Sequence, residues 1–297
     1  MNWILAPQYL INGLLAGIIY ATYTIGYSLV LTTSRFMHVC HGGIVAVSGL
    51  NTWYLATKCG VPLLFAALLG ILSGIIVGVF LEVVVYRRLR KRGLPFLLTM
   101  IVSLGCMTVI ENVLAMLFST TTKYFGNNIS IPSIFIGRYA IPGWQSIGFV
   151  ISLVLLVGLV LLLKYTKIGA EIQSVASNME MAKLIGLNLD KVHLITMILA
   201  SFLASWVGVI EVITHGISNT AGSTFMLVGI VIRALGGARN TRNLVIAGVL
   251  YGLVENMALM FVPSKWSTVL TFGIFIAAVL IRANPSRNAL EKLGGGL

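Results

Sequence analysis

Residues 63–85 read LLFAALLGILSGIIVGVFLEVVV, and only one of these side chains, that of Glu82, is charged. A helix needs about 20 mainly apolar residues to cross the hydrocarbon core of a bilayer. The run is continuously apolar, whereas a strand of a membrane barrel alternates apolar and polar residues. This stretch therefore predicts a membrane-spanning α-helix.

Similar apolar stretches lie on both sides of it and bring the predicted total to nine. The predicted spans are residues 9–31, 38–57, 63–85, 95–118, 146–164, 192–214, 222–238, 243–262 and 267–282. The second and seventh are short or interrupted by glycine, so each is compatible with a broken or re-entrant segment. We expect an all-α membrane protein, a polytopic helix bundle of eight or nine spans with broken or re-entrant helices, in a single domain over residues 1–297.

The composition excludes a soluble enzyme. Of the 297 residues, 58% are hydrophobic and 9% are charged, whereas soluble domains are about a quarter charged. The net charge of +12 lies in short stretches between apolar segments, which does not favour a nucleic-acid partner. The three cysteines form no C-x-x-C pair, and therefore indicate neither a disulfide framework nor a zinc site. The first span has no basic region before it and is predicted to be retained rather than cleaved.

The basic residues predict an orientation. If the nine spans alternate, sixteen of the 20 Lys and Arg residues fall on one side, including the run at 87–92. Cytoplasmic loops carry such an excess. The N-terminus is therefore expected outside and the C-terminus in the cytoplasm of a bacterial plasma (inner) membrane.

Two loops are long. The outer loop, 119–145, has few charges and two prolines, and it is long enough to contact something outside. The inner loop, 165–191, contains Ile168, Ile172 and Val175, whose spacing predicts one apolar stripe on a short helix.

The same inner loop predicts a second short helix. Asn178 is placed to cap its first turn, and Glu180 then lies where the helix dipole favours an acid. Met181, Leu184 and Ile185 share one face, and Gly186 is placed to end the helix. The pair of helices fits a docking surface for another protein, or an interfacial loop lying on lipid head groups.

Polar groups inside the spans need a reason, because a charge at the bilayer centre costs about 2.5–3.5 kcal/mol on insertion scales. Glu111 with Asn112, and Glu255 with Asn256, are the informative pairs. Each acid either holds two helices together by a hydrogen bond or lines a translocation path. Glu82 precedes Arg87 by about one turn and is expected to pair with it.

The second span opens with HVCHGG at residues 38–43. His38 and His41 share a helix face, but no third ligand is visible, so a helix start with closely approaching backbones is favoured over a metal site. A second glycine-rich break lies at residues 235–240. Broken helices of this kind often frame transport sites.

No motif of a nucleotide-binding P-loop, a zinc protease or a serine hydrolase occurs in the chain. Transport remains, driven either by an ion gradient or by a separate ATPase.

Three motifs resemble the permease subunits of bacterial ABC importers for branched-chain amino acids. The pattern A-x-N-x-E-x-A-x-L-x-G-L-N at 176–188 is similar to the family's coupling helices, and HG at 41–42 to its N-F-A-H-G-E. LGG at 235–237, with G-x-x-x-G-L-x-E at 248–255, is similar to a third family region. The resemblance implies a second, homologous permease, two ATPase subunits that bind ATP and Mg²⁺ so that this chain needs no cofactor, and an extracytoplasmic substrate-binding protein.

The chain departs from the family pattern near the expected path. His38 and Gly43 stand where the family has asparagine and glutamate, residues 239–243 interrupt the third motif, and Met179 replaces a common proline. The expected substrate is therefore an amino acid, branched-chain or a related small polar solute such as urea or an amide.

The resemblance and the polar residues together give two sets of candidate residues. The translocation path is assigned to His38, His41, Gly42, Gly43, Glu111, Asn112 and Glu255. Coupling to the ATPase, through the inner loop, is assigned to Glu171, Asn178, Glu180, Ala182 and Gly186. No catalytic or metal-binding residue is assigned. The alternatives are an ion-coupled secondary transporter using Glu111 or Glu255, and a membrane scaffold that does not transport.

Overall fold

The structure is a computed structural model that describes residues 6–126, 129, 131–136, 139–237 and 240–282. It is almost entirely helical. In chain order the helices are α1 (Ala6–Ser34), α2 (His41–Thr57), α3 (Leu63–Phe80), α4 (Arg87–Lys91), α5 (Phe96–Phe118), α6 (Gly143–Tyr165), α7 (Lys167–Ser177), α8 (Met179–Leu184), α9 (Leu189–Thr214), α10 (Ala221–Gly236), α11 (Thr241–Ala258) and α12 (Ser264–Arg282).

Each predicted span overlaps a helix, and within the described part of the chain five helical stretches are long and apolar enough to cross a membrane. They are Ala6–Ser34, Leu63–Lys91, Phe96–Phe118, Gly143–Tyr165 and Leu189–Thr214. At a rise of about 1.5 Å per residue, α2 with 17 residues and α10 with 16 reach only about 25 Å. The outer helices α3, α5 and α6 expose large apolar side chains, as a surface in contact with lipid requires. The structure is therefore the predicted all-α membrane bundle.

α1 forms the centre of the bundle and packs on α11, α9, α6 and α10. Its contact with α11 is close because glycines face each other. A Cβ added to Gly17 would lie 2.6 Å from the Cα of Val249, and one added to Gly252 would lie 2.6 Å from the Cα of Gly17. Small residues allow membrane helices to approach in this way. These glycines fix the central helix pair.

The third span runs without a break from α3 through a π-helical segment, Leu81–Tyr86, into α4. Glu82 lies in this segment, is 1% exposed, and binds Arg90 through both carboxylate oxygens. The expected partner, Arg87, instead pairs with Asp190 at 3.2 Å. The prediction was wrong because Arg87 pairs with Asp190, the second residue of α9, and spacing along one helix does not reveal a partner on another helix.

The outer loop contains the only strands among the described residues, a two-stranded antiparallel sheet of β1 (Ile134–Ile136) and β2 (Tyr139–Ile141). Gln8 Nε2 donates to the Ala140 carbonyl at 2.6 Å, and Gln8 Oε1 accepts the Ala140 amide at 3.0 Å. The loop is thereby fastened to the start of α1. Asn127 and Asn128 lie outside the described residues.

Candidate functional site: a helix pair and an intramembrane polar face

The inner loop forms two short helices that share a capping residue. Thr166 Oγ1 accepts the Gly169 amide at 3.0 Å and begins α7. Asn178 ends α7 and begins α8, with its Oδ1 accepting the amides of Glu180 and Met181, both at 3.1 Å. The predicted cap at Asn178 is confirmed, and Glu180 lies in the first turn of α8.

The end of α8 also follows the prediction. Gly186 lies two residues beyond Leu184 and has φ +84°, a left-handed conformation that glycine adopts without penalty. The Leu187 amide donates to the Ala182 carbonyl at 3.1 Å, which satisfies a carbonyl of the last turn. Because both ends are capped, a helix of only six residues is held at a defined place.

One face of the helix pair packs into the bundle. Ile172, Val175 and Ala182 are each at most 2% exposed and join a cluster that includes Leu156 of α6 and Val192 of α9. Ala182 was expected at the docking surface. The structure places it inward, so its small side chain permits α8 to lie close to the chain's own core.

The other face of α8 is apolar and uncovered. Met181, Leu184 and Ile185 are 57%, 80% and 71% exposed, which confirms that they share an outer face. Glu180 is also exposed, and Glu171 on α7 is half-buried. The exposed area of three large apolar side chains on one turn is of the kind that marks an interaction site.

Glu111 lies on α5 and faces the start of α10. Ser223 Oγ donates to Glu111 Oε1, and Asn219 Nδ2 lies 3.4 Å from the Glu111 carbonyl oxygen. The next residue, Asn112, is exposed, and its amide donates to the Thr108 carbonyl at 2.7 Å. Together with Gly105, the exposed residues Thr108 and Asn112 form a polar stripe on the outer surface of α5, whose other exposed side chains are apolar. We call residues 105, 108 and 112 the α5 polar stripe.

Glu255 belongs to another pair of helices. It lies on α11, is half-buried, and accepts a hydrogen bond from Tyr20 of α1. Its neighbour Asn256 donates to the Gly252 carbonyl at 3.0 Å. Glu255 thus joins the two central helices, whereas Glu111 joins α5 to α10.

His38 and His41 do not line an opening in this conformation. Both are 0% exposed, and the His38 Nδ1 lies 2.9 Å from the Tyr86 hydroxyl. The His41 ring lies between Tyr23 and His38, with centroid distances of 5.0 and 5.6 Å. Both lie in the interior of the helix bundle, where α1 and the end of the third span cover them, and their place on the path stays a prediction.

Gly42 and Gly43 allow neighbouring helices to reach the start of α2. A Cβ on Gly42 would overlap the carbonyl of Gly222 on α10, and one on Gly43 would lie 3.1 Å from the Met107 sulfur on α5. Residues 42 and 43 therefore bring α10 and α5 together beside Glu111, as the favoured interpretation of this glycine pair predicted.

Four hydroxyl residues inside the bundle were not predicted from the sequence: Ser223, Tyr20, Tyr86 and Ser103. Each has a hydroxyl group that meets an acid, a histidine or another hydroxyl inside the bundle. A search for hydroxyl residues within predicted spans would have found them, since buried polar groups need partners. It would not have paired them, because each partner lies on a different helix.

Comparisons with known proteins agree with this geometry. A family model described as "Branched-chain amino acid transport system / permease component" matches residues 9–279. The high-affinity branched-chain amino acid transport system permease protein LivH of Escherichia coli (strain K12) is 22% identical over 92% of each chain. BraD of Pseudomonas aeruginosa, described in the same words, is 25% identical over 93% of each chain. The ribose import permease protein RbsC of Escherichia coli (strain K12) is 27% identical over 57% of this chain and 58% of its own length.

Among solved structures, PsaBC from Streptococcus pneumoniae, in complex with Fab, has a similar fold. The TM-score is 0.51 at 14% identity, and the match covers 97% of this chain and 94% of that one. Together with the five apolar helices, the relatives identify a multi-pass protein of the inner membrane. The family is one of transport permeases and not of enzymes. The chain belongs to the ABC transporter permeases of the branched-chain amino acid type.

Proposed function

We propose that this chain is the membrane subunit of an ATP-driven importer for an amino acid, either branched-chain or a related small polar solute such as urea or an amide. The observation that carries the proposal is the uncovered apolar face of α8, held beside a buried inner face by caps at both ends. Family membership and the α5 polar stripe support it. The names of LivH and BraD favour branched-chain amino acids within this class.

The outer face of α8 is the proposed docking surface for an ATPase subunit. Met181, Leu184 and Ile185 would insert into a groove on that subunit, as an amphipathic helix does. Glu171 and Glu180 flank this face, and Asn178 and Gly186 fix its ends. Burying an exposed Leu contributes about 1.5–3 kcal/mol, so three such side chains make a substantial contact.

Movement of the docked ATPase would reach the bundle through α7. Ile172 and Val175 are buried among side chains of α1, α6 and α9, and packed interiors transmit displacement rather than absorbing it. A shift of α7 therefore displaces the helices that surround α1.

The α5 polar stripe is the proposed border of the translocation path. Thr108 and Asn112 each donate one hydrogen bond to a carbonyl of their own helix, but a side-chain amide has further donor and acceptor capacity. Leaving that capacity unused in hydrocarbon is costly, which favours a protein or water-filled surface over lipid here. A second permease subunit, homologous but different, would cover this face, and substrate would pass between the two. Glu111 lies at the edge of this path, while Glu255, His38 and His41 act behind it by holding the helices in place.

The complete importer would then contain this chain, the second permease, two ATP-binding subunits and an extracytoplasmic substrate-binding protein. The excess of Lys and Arg supports placing α7, α8 and the C-terminus in the cytoplasm and the N-terminus outside. The outer loop, 119–145, would face the substrate-binding protein.

Copurification tests the docking surface. Leu184→Gln removes an exposed apolar side chain, and Lys183→Gln places the same residue on the adjacent exposed position of α8. We expect L184Q to retain at least tenfold less ATPase in mild detergent, since truncating a central hot-spot side chain costs about 2 kcal/mol or more. We expect K183Q to retain the wild-type amount. Equal retention by both variants would contradict docking through this face.

Uptake by the reconstituted complex separates the proposal from its alternatives. We expect uptake to require ATP and both permeases, and to persist after an uncoupler collapses the proton gradient. Glu111→Ala should reduce it, because the Ser223 hydroxyl then loses its acceptor at the edge of the stripe. Uptake that persists without ATPase and stops with the uncoupler would establish ion coupling instead, and an assembled complex without uptake would indicate a scaffold.

A further inference from the structure

A cavity of about 800 Å³ lies where α1 ends, between α7, α10 and the start of α11. Its polar lining includes Arg35, Arg233, Thr32, Gln173 and Thr241. It is separate from the α5 polar stripe and from the exposed face of α8, so neither transport nor docking as described above uses it.

The cavity holds two arginines and no acidic lining residue among the described part of the chain. Arg35 Nη2 donates to the carbonyls of Ala176 and Ser177 at 3.1 and 3.2 Å, which are neutral acceptors. Arg233 Nε is buried and has no acceptor among the described residues. The three ion pairs found in those residues involve neither arginine. Two guanidinium groups that face a shared space without a counter-charge favour an anion there.

The backbone at Arg35 supports a specific role for this side chain. Arg35 has φ 57°, a left-handed conformation that costs a non-glycine residue about 1–2 kcal/mol. Strained residues persist where the surrounding structure fixes them, and they concentrate at functional sites. Here the strain turns the chain at the end of α1 and leaves the guanidinium at the mouth of the cavity.

The apolar part of the lining lies deeper along α1, where Ser28 is the polar lining residue between Ile25 and Leu29. Ile25 and Leu29 line the cavity together with Leu163 and Leu244. The ten residues from Ile25 to Arg35 span about 15 Å of helix at 1.5 Å per residue. A small inorganic anion would contact only the polar end, whereas an amphiphile with an anionic head would contact both.

We propose that this cavity binds an anionic phospholipid, with its phosphate between Arg35 and Arg233 and its first acyl carbons against Ile25 and Leu29. Basic pockets between membrane helices on the cytoplasmic side recognise such head groups. This cavity lies on the cytoplasmic side if the chain has the orientation given for the proposed importer, and the inference therefore rests on that proposal.

Lipid in the cavity would also stabilise α7. Gln173 lines the cavity and donates to the Leu163 carbonyl at 2.6 Å, and Arg35 binds the last carbonyls of α7. The lipid would therefore hold α7 against α1 and α6, and so position the neighbouring docking surface. The bound lipid would act as a structural requirement for coupling.

Thermal unfolding of the purified full chain in mild detergent tests the proposal. Dioctanoyl phosphatidylglycerol, dioctanoyl phosphatidylcholine and inorganic phosphate are titrated separately, and the rise in Tm gives an apparent Kd for each. We expect phosphatidylglycerol to bind at least tenfold more tightly than phosphatidylcholine. A shift of equal size with inorganic phosphate would identify a soluble oxyanion as the ligand and overturn the lipid assignment.

Two arginine variants locate the site. Arg233→Gln should weaken phosphatidylglycerol binding about tenfold, and Arg233→Lys should weaken it less because the charge remains. Arg88→Gln is the control, since Arg88 is exposed on the same side and does not line the cavity. Equal weakening by R88Q and R233Q, or none by R233Q, would overturn the proposal. If R233Q alone elutes as misfolded protein, phosphatidylglycerol binding by Arg35→Gln and R233K locates the site instead.

Binding of lipid to the isolated chain requires no ATPase. An R233Q chain that loses phosphatidylglycerol, while L184Q keeps it and loses the ATPase, would support both proposals separately. If L184Q retains the ATPase and R233Q loses the lipid, only the docking proposal is contradicted. The reverse result, with the ATPase lost in L184Q and lipid kept in R233Q, contradicts the lipid site alone.

Discussion

The helices α8 and α2 both begin after a short connection, but their starts are fixed in opposite ways. Asn178 accepts two amides of α8 within three residues of chain, at an exposed surface. The residue before α2, Cys40, makes no side-chain cap, and the start is buried where Gly42 meets Gly222 of α10. One helix start is therefore a local property, and the other exists only because a distant helix lies against it.

The comparison shows how an uncovered helix and a buried helix of this bundle are held in different ways. A short helix that keeps its shape while one face is uncovered needs caps from its own residues. A buried helix start has no water to satisfy it and depends on close backbone packing and on groups such as the Ser103 hydroxyl, which accepts the Cys40 amide at 3.0 Å. Variants at the two starts should therefore fail in different assays.

The largest effect is expected at the buried start. Gly42→Ala places a methyl group against the carbonyl of Gly222 and forces α2 from α10, and overpacking of this kind costs about 1–3 kcal/mol or more. We expect a marked loss of folded protein and of Tm in detergent. Gly158→Ala on α6 is the matched control, because a Cβ there meets nothing within 4 Å. If both variants unfold at the same temperature, close packing does not fix the α2 start.

An intermediate effect is expected at the capped start. Asn178→Ala and Asn188→Ala each remove one N-cap, because the Asn188 side chain accepts the Lys191 amide at 3.1 Å, and each should cost about 1 kcal/mol. Only N178A should also reduce ATPase retention, by several-fold, since it alone loosens the proposed docking helix. Asn178→Asp should restore retention. An equal loss of ATPase by N188A would show that stability, and not the docking surface, governs assembly.

The smallest effect is expected at a third kind of contact, a pair on the exposed end of α9. His215 Nδ1 lies 3.3 Å from Glu211 Oε2. Burial by itself would lower the pKa of His215, but the hydrogen bond and the charge of Glu211 outweigh it and raise the pKa above 6.5. The pair therefore stabilises the fold fully below pH 6.5, and this contribution is lost as the pH rises through the raised pKa.

His215→Gln tests that pair through thermal unfolding at pH 6 and pH 8. The wild type should lose more Tm between these values than the variant, by an amount equivalent to at most about 1 kcal/mol because the pair is solvent-exposed. Equal pH dependence of the two proteins would show that the pair contributes nothing. Unlike the buried start of α2, this contact can be inferred from the i, i+4 spacing alone.

Predictions from the sequence agree with the structure where the residues that determine a feature lie close together in the chain. The helix of every predicted span, the cap at Asn178, the end at Gly186 and the outer face at Leu184 involve residues at most a few positions apart. Periodicity and capping chemistry operate at that range. The pairing of Glu82 was predicted from spacing along one helix and was wrong, because Arg87 pairs instead with Asp190 of another helix.

Three assignments depended on distant neighbours and could not be reached in this way. His38 and His41 are interior because α1 and the third span enclose them, and Ala182 faces inward because α8 packs on α7 and α9. The apolar pattern of a short helix gives its two faces, but not which face another helix will cover. In a bundle this apolar, most helices carry apolar residues on more than one face.

The sequence by itself determined that the chain is a membrane helix bundle, where its helices lie and how the inner loop folds, since hydrocarbon forces each span to satisfy its own backbone hydrogen bonds. The tertiary structure alone decided which helix lies at the centre, which polar groups meet and where the basic cavity forms. These depend on the close approach of glycines such as Gly17 and Gly42 to backbones far away in the chain, and no local preference specifies those partners.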